Sequence, residues 1–300
     1  MTSVFRSTYR LTASAVAGVV SAVPLLERPL VWMGARVWEL PGAGRFYRSV
    51  VGRYSDRLRG SPAAFRRVHI AGASFVTDVT EFTASNLYFA NRLYEAGTTE
   101  FLCRTLTHGS AFVDVGANHG YFTLLAAALV GGTGRVIAFE PNPPVFAQLA
   151  AHVALNRFDD RTELRPQALS NRADGRVRLY VSQCDGNSGL STLVPDAERF
   201  AAGSISTEHT VDVPADTFDH WLAGSALERV DVVKIDTEGA EDFVVEGMAA
   251  SLEDGRIGCV ICETHAESRA HKTLAAAGYR PRVLEKVGDV LSNFAYVRSE

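Results

Sequence analysis

The amino-acid sequence predicts an α/β fold, in which helices cover both faces of a mostly parallel β-sheet. A strand, a glycine-rich loop, a helix and a second strand follow one another between Ala111 and Phe139. A further apolar strand, Val230 to Ile235, leads into an acidic turn and another helix. The 47% of apolar and 21% of charged residues are typical of a globular protein of 300 residues.

The first 67 residues differ from the rest of the chain in charge. They contain 11 Arg, no Lys and three acidic residues, so they carry +8 and the remaining 233 residues carry −12. Pro24, Pro29 and Pro41 predict that this region is divided into short helices. We expect a basic helical extension over residues 1–67, followed by a main domain over residues 68–300. The extension would either pack on the main domain or lie on an anionic membrane.

Three short elements are predicted before the first central strand. Val68 to Val76 is typical of a hairpin, and Asn86 to Tyr94 is typical of a helix. A second helix, Phe101 to Leu106, leads into the central strand.

The central unit is read from its apolar content and its glycines. Ala111 to Val115 is a short apolar run that predicts a buried strand, and Gly116 to Gly120 is too rich in Gly and Asn to continue it. Tyr121 to Val130 has the composition of a buried helix, and Arg135 to Phe139 predicts the next strand. Such a unit is a right-handed crossover between parallel strands.

The glycine loop indicates a nucleoside-bearing cofactor. Glycines let a ligand approach the backbone, and an acid at the end of the next strand can bind ribose hydroxyls. Glu140 lies 20 positions after Gly120, which is the offset that this contact requires. A dinucleotide fingerprint would read Gly-x-Gly-x-x-Gly, whereas this loop reads Asp114-x-Gly116-x-x-x-Gly120. Asp114 would repel a pyrophosphate but suits the cationic S-adenosylmethionine; an ordinary turn without a ligand is the alternative.

The region after Glu140 continues the sheet and then carries an insertion. Pro143 to Asn156 predicts a helix and Thr162 to Arg165 a strand. Within the insertion, over residues 171–220, Arg176 to Ser182 and Thr210 to Val213 are typical of strands. The polar loop Asp185 to Thr192 between them is either a substrate lid or a plain surface loop.

A second group of polar residues follows the strand Val230 to Ile235. Asp236, Glu238 and Glu241 lie at its end, before a predicted helix from Ala240 to Leu252. Because ligands bind outside the carboxyl ends of parallel strands, these acids should face the same crevice as the glycine loop. Lys234 points to the same side as Asp236. The pattern favours positioning and proton transfer over a metal site.

The last part of the chain predicts one more central strand and three flanking elements. The strand Ile257 to Cys262 ends in Glu263-Thr264-His265, which places His265 at the crevice. A helix over Ala266 to Ala277 and strands over Arg282 to Leu284 and Asn293 to Val297 follow.

Three motifs together resemble the FkbM family of S-adenosylmethionine-dependent methyltransferases. They are Phe112 to Asn118, Phe139 to Pro141 and Lys234 to Glu241, and the similarity extends over about residues 100–297. The resemblance implies a class I (Rossmann-like) methyltransferase fold with a seven-stranded sheet. It also implies O-methylation of a hydroxyl on a sugar, glycolipid or polyketide-type acceptor, and it leaves residues 1–67 outside the match.

The resemblance and the loop together give the expected site residues. S-adenosylmethionine is expected to contact Asp114, Gly116, Asn118, Gly120, Tyr121, Glu140, Pro141, Ala168 and Asp236. Asp236 and His265 are the expected catalytic residues, with Lys234 or Glu238 in support, and we expect no metal site. The expected partners are a small-molecule or glycolipid acceptor and no nucleic acid.

The cofactor predicts a cytoplasmic protein, with peripheral contact to the inner face of the membrane through residues 1–67 if the extension binds lipid. The sequence disfavours two other classes of function. The missing dinucleotide fingerprint disfavours a nicotinamide-dependent oxidoreductase. The presence of Asp114, Glu140 and Asp236 disfavours a non-catalytic, membrane-associated protein that retains the fold.

Overall fold

The computed structural model describes residues 3–173, 175–182, 191–195, 200, 205–288 and 290–298. The chain divides into two compact units, the first comprising Met1–Ile70 with Ser74–Ala96 and the second Ala71–Ala73 with Gly97–Glu300. The domain boundary predicted at residue 67 therefore falls inside the first unit.

The first unit is a helical layer with a hairpin. Its elements are α1 (Ser3–Ala22), α2 (Glu27–Val37), α3 (Ala43–Leu58), β1 (Phe65–Ile70), β2 (Ala73–Asp78) and α4 (Phe82–Ala90). Its core joins Ala13 and Ala17 of α1, Tyr54 of α3 and Phe89 of α4. Because Phe89 belongs to this core, the unit extends past the charge boundary that the sequence shows.

Two sequence predictions in this unit are corrected. The predicted helix break at Pro29 is wrong, because Pro29 lies in the first turn of α2, where a proline removes no helical hydrogen bond. The helix predicted over Asn86 to Tyr94 runs over Phe82–Ala90. It ends there because Asn91 adopts the left-handed conformation, with φ of 52°.

A buried carboxylate connects four elements of the first unit. Glu27, at the start of α2, accepts hydrogen bonds from Arg66 Nε (2.7 Å) and Arg66 Nη2 (2.6 Å), and from the hydroxyls of Tyr88 (2.7 Å) and Tyr54. Burial alone would raise the pKa of Glu27, but these hydrogen bonds outweigh it and hold the pKa at about 2.

The second unit contains a seven-stranded sheet. Its strands are β3 (Ala111–Val115), β4 (Arg135–Phe139), β5 (Thr162–Arg165), β9 (Val230–Ile235), β10 (Ile257–Thr264), β11 (Tyr279–Val287) and β12 (Leu291–Arg298). The spatial order is β11-β12-β10-β9-β3-β4-β5. The pairs from β10 to β5 are parallel, and β12 is antiparallel to both β10 and β11. This is the class I methyltransferase arrangement, and the predicted fold class is confirmed.

The connections place the ligand crevice. Helices α5 (Ala96–Thr105), α6 (Tyr121–Val130) and α7 (Pro143–Asn156) accompany the strands from β3 to β5. From β3 the chain proceeds in one direction to β5, and from β9 it proceeds in the other direction to β10. Right-handed crossovers therefore put the two sets of helices on opposite faces. The order reverses between β3 and β9, and ligands bind at such a switch point.

The insertion and the two residues Ala168 and Leu169 before it form a separate three-stranded sheet. Its strands are β6 (Ala168–Leu169), β7 (Gly175–Tyr180) and β8 (Thr210–Asp216), in the order β6-β8-β7. The predicted strand over Arg176 to Ser182 thus ends at Tyr180. Most of the loop predicted as a lid, Asp185 to Leu190, lies outside the described residues.

The predicted helix over Ala240 to Leu252 is divided in two. The two parts are α9 (Glu241–Glu246) and α10 (Ala249–Glu253), and helix α8 (Phe218–Gly224) packs beside α10. At the break, a Cβ on Gly247 would lie 2.0 Å from the Ser170 carbonyl oxygen, and the Gly247 carbonyl accepts a hydrogen bond from Asp219 N. The Asp219 carboxylate then accepts from Ala250 N and Ser251 N, which starts α10.

The predicted final helix over Ala266 to Ala277 is α11 (Arg269–Ala276), which starts later because Ser268 caps it through His271 N. Among the described residues, no single helix is long and apolar enough to cross a membrane. Arg10–Ala22 and Pro24–Val37, bent by 117°, meet that requirement only as a pair.

Candidate active site

The glycine loop between β3 and α6 joins the ends of two strands. The N–H groups of Gly116 and Ala117 both donate to the carbonyl oxygen of Phe139, each at 3.0 Å. Gly116 has φ of 82°, and a Cβ on it would lie 1.9 Å from the Asp236 carbonyl oxygen. Only glycine fits, because the loop and the turn after β9 approach at this atom.

Glu140 is held at the end of β4 by backbone hydrogen bonds. Its carboxylate accepts from Asn118 N (2.9 Å) and from Asn142 N (2.8 Å). The residue is 7% exposed, and burial raises its pKa to about 7 although both hydrogen bonds favour the charged form. Each oxygen retains a second lone pair that a hydroxyl donor can use.

Three charged side chains are linked below the crevice. Asp114 lies directly beside Lys234 in the register of β3 and β9, and its Oδ2 accepts from Thr123 Oγ1 at 2.6 Å. Lys234 Nζ donates to Asp236 Oδ2 at 2.9 Å and lies 4.5 Å from the centre of the Phe122 ring. Burial raises the pKa of Asp114, and the charge of Lys234 opposes this. Lys234 is thus a buried cation that donates to Asp236 and lies beside Asp114.

Buried acceptors at the crevice match the donors of the expected cofactor. The Oδ1 atoms of Asp114, Asn118 and Asn142 are buried and accept no hydrogen bond within the described part of the chain. S-adenosylmethionine presents an ammonium group, ribose hydroxyls and a sulfonium charge. A donor-rich cation therefore fits this set of acids and amide oxygens, and the residues present are compatible with it.

The other predicted cofactor residues lie along the same edge of the sheet. Gly120, with φ of 93°, begins α6, and the Tyr121 hydroxyl lies 3.2 Å from Thr99 Oγ1. Pro141 follows Glu140, and Ala168 is buried in β6 just after β5. Contact of these residues with the cofactor stays a prediction.

A cleft of about 210 Å³ lies beyond the ends of β9 and β10. Its lining residues are Glu238, Gly239, Glu241, Asp242, Glu263, Thr264, His265, Ser268 and Leu291. The structure therefore brings together two of the proposed catalytic side chains, Glu238 and the exposed His265. The other two, Lys234 and Asp236, form the ion pair at the end of β9.

The turn that carries Glu238 is braced from both sides. Glu241 Oε1 accepts from Thr237 N (2.8 Å) and Thr237 Oγ1 (2.9 Å), and its Oε2 accepts from Gly239 N (3.0 Å). Thr192 Oγ1 donates to the Glu238 carbonyl at 2.7 Å. Glu241 thus fixes the backbone of the turn. Glu238 adopts the left-handed conformation there, with φ of 56°.

Three residues of this region were not predicted. Asn142 offers a buried acceptor, Thr123 holds Asp114, and His152 Nδ1 donates to the carbonyl of His119 at 2.7 Å. Asn142 follows the Glu140-Pro141 motif directly, which was the available signal. His152 occupies an ordinary core position of α7, so no sequence pattern distinguishes it.

Comparison with known proteins identifies similar sequences. Residues 114–281 match the Methyltransferase FkbM domain. The chain is 29% identical over 157 residues to Methyltransferase sdnD of Sordaria araneosa, covering 45% of this chain and 59% of that protein. It is 29% identical over 154 residues to Hexuronic acid methyltransferase AglP of Haloferax volcanii, covering 51% of this chain and 55% of that protein.

A third relative, 2-O-methyltransferase NoeI of Sinorhizobium fredii, is 25% identical over 127 residues, which is 41% of this chain and 51% of that protein. The chain thus spans 51% to 59% of the length of these three relatives. Among solved structures, an S-adenosylmethionine-dependent O-methyltransferase of Thermotoga maritima overlaps 82% of each chain with a TM-score of 0.42 and 12% identity.

Proposed function

Because the chain belongs to the FkbM family of S-adenosylmethionine-dependent methyltransferases, we propose that it methylates a hydroxyl oxygen of a sugar, glycolipid or polyketide-type acceptor. The observation that carries this proposal is the cleft beside the cofactor crevice, in which carboxylates and His265 surround the space for an acceptor. One relative is named a hexuronic acid methyltransferase, which supports a sugar acceptor, and another is named a 2-O-methyltransferase, which supports transfer to oxygen.

The crevice at β3 and β4 holds the methyl donor in this proposal. Glu140 receives the ribose hydroxyls, while Asp114 and Asn118 attract the cationic end through their buried oxygens. When bound, S-adenosylmethionine supplies an electrophilic methyl group on a sulfonium.

In this proposal, Asp236 receives the proton of the acceptor hydroxyl. Lys234 fixes one carboxylate oxygen of Asp236 at 2.9 Å, which leaves Oδ1 for the acceptor. The Asp236 side chain is 20% exposed, so it reaches the crevice, whereas Lys234 is 3% exposed. His265, which lines the cleft and is exposed, passes the proton to solvent.

The charge of the cleft selects among acceptors. Four of its nine lining residues are carboxylates. Glu241 braces the turn and Asp242 is paired with Arg269 at 3.2 Å, so the lining keeps a net negative charge that repels an anionic acceptor. We therefore favour a neutral polyhydroxylated acceptor over a uronic acid, which distinguishes this chain from the relative named for hexuronic acid.

The test is methyl transfer from S-adenosylmethionine carrying a labelled methyl group. Neutral glycosides, hexuronic acids and a glycolipid extract are offered separately, and products are analysed for methyl ethers by mass spectrometry and NMR. Label in a neutral sugar, abolished by Asp236→Asn, supports the proposal. Label only on nitrogen, or a preference for the uronic acid, contradicts it.

A further inference from the structure

The outward side of α1 and α2 is apolar although it faces solvent. No charged residue occurs between Arg10 and Glu27. Helix α1 turns Ala13, Ala17 and Val20 into the core of its unit. A second apolar face of the same helix is left uncovered.

The uncovered apolar residues all fall within residues 11–33, and we call them the apolar tip surface. Its members are Leu11, Val16, Val19, Val23, Leu25, Leu26, Trp32 and Met33. Leu25 is 77% exposed, Leu11 69% and Trp32 62%. The two helices bend by 117° around the turn that carries Leu25, so this residue stands at the corner. Soluble proteins rarely leave such a surface without a partner.

Within residues 10–36, the exposed charges all have one sign. Residues 10–36 contain four charged residues, Arg10, Glu27, Arg28 and Arg36. Glu27 is 8% exposed and bound by Arg66, so it presents no negative charge to solvent. Arg36 lies 4.0 Å from the centre of the Trp32 ring. The surface thus combines aliphatic residues and tryptophan with a rim of arginines.

We propose that the apolar tip surface binds an anionic membrane. Leu25 and Leu26 enter the boundary between headgroups and acyl chains, Trp32 lies at headgroup level, and the arginines contact lipid phosphates. The single sign of the exposed charge favours this occupant over a second copy of the chain, which would bring arginines together. With a cytosolic methyl donor, the contact lies on the inner face of the membrane.

The membrane contact is independent of the proposed methyl transfer. It uses none of the crevice or cleft residues. An enzyme held at the lipid surface would meet a glycolipid acceptor where that acceptor is embedded.

The test is flotation of the full chain with vesicles. Vesicles of phosphatidylcholine with about one third phosphatidylglycerol are compared with pure phosphatidylcholine. Leu25→Asp is expected to lower partitioning into the anionic vesicles about tenfold or more, because a charge replaces a leucine that the bound membrane would bury. Phe82→Asp is the matched control, since it puts the same charge in the same unit at a residue that is 68% exposed and outside the surface.

A second variant tests the electrostatic part. Arg28→Gln should weaken binding to anionic vesicles about fivefold and leave binding to neutral vesicles unchanged. Thermal unfolding of each variant should match the parent chain, because the replaced side chains are exposed.

Two outcomes overturn the proposal. One is flotation of Leu25→Asp equal to that of the parent chain. The other is self-association of the parent chain, seen by sedimentation without vesicles and lost in Leu25→Asp, which would assign the surface to a second copy. Methyl transfer to a soluble acceptor reports the enzymatic proposal separately.

Discussion

Binding of S-adenosylmethionine should depend on pH through Glu140. Burial raises the pKa of this carboxyl to about 7, and the ribose hydroxyls donate to its ionised form. About nine tenths of the protein is therefore ready to bind at pH 8 and about one tenth at pH 6. The dissociation constant should rise about tenfold between these values, or about 1.4 kcal/mol.

The direction of the effect follows from the raised pKa. Ligand binding lowers the pKa of Glu140, so below about pH 7 each binding event releases a proton. Without ligand, the same shift makes the folded state less stable as the pH rises from 4.5 towards 7.

Isothermal titration calorimetry between pH 5.5 and 8.5, in buffers of different ionisation enthalpy, measures both affinity and released protons. Glu140→Gln should bind about 1.5–3 kcal/mol more weakly at pH 8 and lose the pH dependence. Glu163→Gln, at a half-exposed carboxylate on β5, is the control and should keep it. If cofactor affinity still depends on pH in Glu140→Gln, the titrating group is not Glu140 and the reasoning is refuted.

Three further predictions concern catalysis and stability. Asp236→Asn and His265→Ala should each reduce turnover while cofactor affinity stays within a few-fold, and full turnover in both would place proton removal elsewhere. The low pKa of Glu27 should add about 3 kcal/mol to the free energy of unfolding above pH 4.5, and this contribution is lost as the pH falls towards 2. Urea unfolding of Glu27→Gln should therefore lack this acid sensitivity. Gly116→Ala should lower unfolding free energy by about 2 kcal/mol or more, because its Cβ meets the Asp236 carbonyl. Gly132→Ala, with open space around the Cβ, should change little, and equal effects would contradict the clash.

The central unit was predictable because local signals agree with the tertiary structure. The bounds of β3, α6, β4, α7, β5 and β9 equal those read from the sequence. Glycine, proline or an acidic turn follows β3, α6, β4, β5 and β9 directly, so the local stop signals agree with the tertiary structure.

Other features depend on contacts that are distant in sequence. The division between α9 and α10 arises because Gly247 meets Ser170 and Asp219, which lie 77 and 28 positions away. The extent of the first unit depends on Phe89 packing with the N-terminal helices. The role of His152 becomes visible only when the loop geometry is known. No pattern within a short window encodes such contacts.

The link between Asp114, Lys234 and Asp236 constrains how this chain can change over evolution. Lys234 lies beside two acids, so replacing it by a neutral residue leaves the buried Asp114 and the mostly buried Asp236 without their cation. A viable path must alter the acids in the same step or beforehand, which makes the trio change as a unit. Under the proposed function, new acceptor specificity is then more accessible through Glu263 and His265, which line the cleft.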